Sequence, residues 1–150
     1  MSRADRGEEG TTALVSSLEL AAERCEDIVP LVYARLFETR PDLRELFAVE
    51  PDAKPRTGMG NMVTEILRMV LAEDAAALEA ETQAAVVFHV GWGLDVAMYR
   101  DVMQSVVAAV REACGDSWTA AMTAAWDARL AAALVVLHRQ HKAIEGQDQS

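Results

Sequence analysis

The chain has 150 residues, 51% of them hydrophobic, and 14 basic against 24 acidic side chains give it a formal charge of −10. At this length one domain is expected, burying about 70% of its unfolded surface, enough for a core with a slot in it. The acidic balance repels phosphate backbones and anionic lipid heads and so argues against nucleic-acid and membrane partners, while the two cysteines, Cys25 and Cys114, form no Cys-x-x-Cys or zinc spacing and suit a reducing, cytoplasmic setting.

Residues 1–10 are charged and contain glycine, with no apolar run, so they read as a disordered leader rather than a signal peptide, ahead of one domain over residues 11–143. Thr11 or Thr12 is placed to cap a helix carrying Leu14, Val15, Leu18 and Ala21. A second helix is expected from near Glu26 to Thr39, with Pro30 tolerated in its first turn and Leu31, Val32, Leu36 and Phe37 on it. Pro41, with Asp42 and Glu45 behind it, predicts a short helix over 41–47. Pro51, Asp52, Pro55 and Gly58 predict a loop over 48–58, followed by a helical stripe of Met59, Met62, Val63, Ile66, Leu67, Val70 and Leu71.

Asp74 is placed to cap the next helix, which ends in Phe88-His89-Val90-Gly91-Trp92-Gly93. His89 is the only histidine before His138. A neutral imidazole on an apolar helix can be an iron ligand, although one histidine alone reads more simply as a core or interface residue. Beyond the glycines, Tyr99, Val102, Met103, Val106, Val107 and Val110 form a stripe ending at Cys114-Gly115. Asp116 or Ser117 then caps a long helix with Trp118, Met122, Trp126, Leu130, Ala133, Leu134 and Leu137. It is expected to finish in the basic turn His138, Arg139, His141 and Lys142, where a helix C-terminus favours cations, and to leave 144–150 as a disordered tail.

No alternating strand pattern and no repeat is present, so the fold class is all-α, with six or seven helices and one long irregular loop. The longest wholly apolar run, 130–137, is too short to span a bilayer. Gly58-Met59-Gly60 lacks the strand and partner glycine of a dinucleotide site, and no Ser/His/Asp set is evident, which argues against phosphoryl-transfer and hydrolytic chemistry.

The ordered set Val32-Tyr33-Ala34-Arg35-Leu36-Phe37, Pro41-Asp42-Leu43-Arg44-Glu45-Leu46-Phe47, Phe88-His89-Val90-Gly91-Trp92-Gly93 with Tyr99, and Gly115-Asp116-Ser117-Trp118-Thr119 with Trp126 resembles bacterial single-domain globins and the globin domain of flavohaemoglobins. The resemblance implies a globin fold of six to eight helices around a haem b. It makes His89 the proximal ligand of the iron, Phe47 the phenylalanine packed on the porphyrin, Tyr33 the distal tyrosine and Tyr99 the proximal-side tyrosine. The chain departs from the family in two places. No distal glutamine or histidine stands in Pro55-Arg56-Thr57-Gly58-Met59, leaving Met59 or Met62 to lie over the haem, and the proximal glutamate position falls near His141.

The function so implied is reversible binding of O2, NO, CO or a similar diatomic gas. Two alternatives stay open: nitric oxide dioxygenase activity, which needs a separate reductase because the chain stops at Ser150 with no fused flavin domain, and a haem-free sensor or interaction module on the same fold.

Overall fold

A computed structural model describes residues 3–44, 55–90 and 96–148, with the side chains of 9–44, 62–85 and 96–143. Helix α1 spans Arg3–Arg24, α2 Val29–Thr39, α3 Pro55–Val70, α4 Ala75–Val90, α5 Val96–Cys114 and α6 Ala120–Asp148, with a 3-10 turn at Gly115–Ser117. No strand occurs among the described residues, in line with the all-α expectation.

Local signals account for several boundaries. Asp27 Oδ1 accepts the Val29 N–H at 3.0 Å, and Pro30 lies in the first turn of α2, where its missing N–H costs no helical bond. Asp74 Oδ1 caps α4 through the Ala77 N–H at 2.8 Å, as expected. Helix α5 ends where Gly115 takes φ +56°, a left-handed conformation that glycine adopts without a Cβ penalty.

Other boundaries correct the sequence reading. Helix α1 starts at Arg3, not at Thr11 or Thr12. Thr11 lies inside the helix, and its hydroxyl accepts a hydrogen bond from Arg129 Nη2 at 2.6 Å instead of capping. Residues 55–58 open α3 rather than closing a loop, since proline is well suited to a first helical position. The cap of α6 is Thr119, whose Oγ1 accepts the Met122 N–H at 3.2 Å, because Asp116 and Ser117 are used in the 3-10 turn. Helix α6 then continues to Asp148, so the basic residues 138–142 lie inside it and not at its end. Tertiary contacts hold that stretch: Arg139 pairs with Glu79 of α4, and Gln140 Nε2 donates to the Glu79 carbonyl at 3.1 Å and its carboxylate at 2.9 Å. Of the short helix expected over 41–47, a turn at Pro41-Asp42 and the helical Leu43 and Arg44 are described.

Helix α5 is the centre of the packing, with α1, α2 and α6 against it, while α4 packs on α3 and α6. Trp126, Leu14, Leu36, Val106 and Leu137 fill the core. A small polar network is buried there. Ser17 Oγ donates to the Leu14 carbonyl at 2.6 Å and accepts the Trp126 indole N–H at 2.9 Å, and the Cys114 thiol donates to the Ser17 carbonyl at 3.2 Å. Burial pushes that thiol above its ordinary range despite the nearby Arg24 guanidinium, and both cysteines are free.

Arginines tie the helix ends. Arg129 Nη1 donates to the carbonyls of Val70 at 3.3 Å and Ala72 at 2.9 Å, placing a cation at the C-terminal end of α3. Arg40 bridges Asp42 and Asp101, holding the turn after α2 against α5. By length and composition, Ala120–Ala143 within α6 is long and apolar enough to cross a bilayer. Its face of Met122, Ala125, Trp126, Leu130, Ala133 and Leu137 is buried in the protein core.

Candidate functional site

Helices α2, α3 and α5 carry three of the residues expected at the site. On α2, Tyr33 is 3% exposed, and the helical repeat sets Phe37 one turn on, with ring centroids 5.8 Å apart and planes at 45°. Arg44 covers the other aromatic, its guanidinium 5.2 Å from the Phe37 centroid. On α3 the buried face is Met62, Val63, Ile66, Met69 and Val70, while Leu71, expected on the stripe, is largely exposed. On α5, Tyr99 is 2% exposed and heads the buried row Val102, Met103, Val106 and Val110. These are the only two tyrosines in the chain.

Tyr99 reaches α4. Its hydroxyl donates to the Ala85 carbonyl at 3.1 Å. Ala85 and Thr82 are fully buried, and the helical repeat places position 89 on the same face of α4 as both. Burial, with the Glu65 carboxylate adding to it, raises both phenols above their ordinary range.

Of the residues expected at the site, Tyr33, Met62 and Tyr99 are buried on α2, α3 and α5. His89 lies on α4 and Met59 on α3, with their side chains outside the described residues, and Phe47 lies outside them altogether. Sequence reading passed over Glu65. It sits in the middle of the α3 stripe, three residues after Met62 and four before Met69, and its Oε2 is buried. A charged residue at that register within an apolar face was the available signal.

Among the described residues no group of three or more histidine, cysteine or acidic side chains is arranged to hold a metal ion. A surface groove of about 400 Å³, lined by Val96, Ala97, Arg100, Leu134, Val135 and His138, contains none of the candidate residues.

The residue types on these helices nevertheless suit a haem: aliphatic and thioether side chains on α3 and α5, phenols on α2 and α5, and a single histidine on α4. No curated protein matches the chain. The model of one family, globin, matches residues 31–137, a span that takes in the two tyrosines, Glu65 and His89. As a family, globins bind haem and, through it, diatomic gases. With more than half of its length matched, the chain belongs to the globin family.

Proposed function

We propose that the protein binds O2 or another diatomic gas reversibly at a haem b whose iron is held by His89. The observation that carries this reading is the hydrogen bond from Tyr99 to the Ala85 carbonyl. It ties α5 to the turn of α4 that leads into position 89, on the face already defined by Thr82 and Ala85. In an α-helix that carbonyl also pairs with the N–H of the residue four on, so the tyrosine braces the backbone of the ligand position.

Haem, when bound, supplies the iron at which a diatomic ligand is held. Tyr33 supplies a buried phenol that stays protonated well past neutral pH and can donate a hydrogen bond to a polar ligand in a low-dielectric setting. Met62 supplies a soft apolar surface on α3, which Met59 would extend. Phe47 would pack on the porphyrin. The absence of a Cys-x-x-Cys-His attachment sequence supports haem held without covalent linkage. Free cysteines support a cytoplasmic location, and turnover of nitric oxide would call on a reductase. The bacterial single-domain and flavohaemoglobin branch is the part of the family this motif order resembles.

Substituting His89→Ala tests the reading by absorption spectroscopy. The wild type is expected to show a Soret band that the variant loses or shifts, whereas His138→Ala and His141→Ala keep it. An unchanged spectrum and haem affinity in His89→Ala would remove His89 from the iron.

A further inference from the structure

Glu65 has no part in the reading above, yet its half-buried side chain stands on the core-facing side of α3. Its register on α3 puts it with Met62, Ile66 and Met69, each 2% exposed or less, and its Oε2 is shielded from solvent. The carboxylate stands on the same wall as the residue taken to lie over the haem, and helices on either side bring Tyr33 and Tyr99 within its electrostatic reach.

From this placement we infer that Glu65 is a specificity-determining residue: it adds a negative charge to the apolar wall and makes the site discriminate against anionic ligands in favour of neutral diatomic gases. The inference rests on the haem reading. A charge in a medium of low effective dielectric acts over several ångströms, and a neutral gas has no net charge for it to act on. In its ionised form the carboxylate opposes an anion approaching the same iron, and replacing it by a neutral group removes that charge from the wall. The two tyrosines report this field independently of any haem, since their phenols become anionic when they titrate.

The test uses purified full-length protein with two probes, azide on the ferric form and CO on the ferrous form, followed by Soret titration in the wild type, Glu65→Gln and Glu65→Asp. The expected result is an azide-to-CO affinity ratio about tenfold higher in Glu65→Gln, of the order a single charge produces at partly screened distances, with Glu65→Asp close to the wild type. In the apoprotein, ultraviolet titration should show the phenols of Glu65→Gln ionising at lower pH. Should Glu65→Gln fold poorly by circular dichroism, Glu65→Met, matched to its methionine neighbours, takes its place. An unchanged ratio, or an equal change in Glu65→Gln and Glu65→Asp, would overturn the inference while a wild-type Soret band left the haem reading standing. A wild-type protein with no Soret band would overturn both.

Discussion

The Tyr99 hydroxyl lies 3.1 Å from the Ala85 carbonyl and donates to it across the α4–α5 contact, from a residue 2% exposed to one 1% exposed. Removing the donor leaves the buried carbonyl with its helical N–H alone and unties α5 from the last full turn before position 89. Tyr99→Phe should therefore cost about 0.5–1.5 kcal/mol of apoprotein stability, the net worth of an ordinary buried hydrogen bond. Urea denaturation with an unchanged m-value would read it directly; a variant as stable as the wild type would show that the bond contributes nothing to holding α4.

Ser17 serves two partners at once, donating to Leu14 and accepting from Trp126 at 2.9 Å. In Ser17→Ala the indole N–H of the fully buried Trp126 loses its acceptor, at a cost of about 1–3 kcal/mol. A lowered denaturation midpoint with altered tryptophan fluorescence is the expected result.

Tyr33 is the buried phenol of α2 and the candidate donor to a bound gas. Hydrogen bonds to a ligand carrying partial charge contribute roughly 1–3 kcal/mol, about five- to a hundred-and-fifty-fold in dissociation rate if the effect lies in the bound state. Tyr33→Phe should speed O2 release within that range and hasten oxidation to the ferric form, and should change CO release less. Stopped-flow measurement of both gases decides it, and equal O2 off-rates would take Tyr33 out of the site.

The same phenols set an alkaline limit. Burial first, and Glu65 second, raise both above their ordinary value, while an unfolded tyrosine titrates near about pH 10. Above that pH the folded chain holds more protons than the unfolded one, so unfolding becomes easier as pH rises. The contribution to stability is fully present below about pH 10 and is lost as pH climbs through the folded values. Tyr33→Phe and Tyr99→Phe should each flatten the loss of stability in that window, and a wild-type stability independent of alkaline pH would contradict both buried phenols.

Several local signals were read correctly. Asp74 as a cap, Pro30 in a first turn, and the row Tyr99, Val102, Met103, Val106 and Val110 depend on side-chain chemistry and spacing within one helix. The match of separated motifs to a globin also rests on sequence order, and the family comparison spans it. Long-range contacts settled the remainder. Thr11 and Asp116 have the chemistry of helix caps, but Arg129 engages the first and the 3-10 turn takes the second. The basic stretch 138–142 looks like a helix end until Glu79 of α4 engages Arg139 and Gln140. Glu65 went unread, and its Oε2 is buried because Met62, Ile66 and Met69 share its face and are packed into the core. Capping and periodicity are properties of neighbouring residues, whereas burial of a helix face depends on the other helices that pack against it.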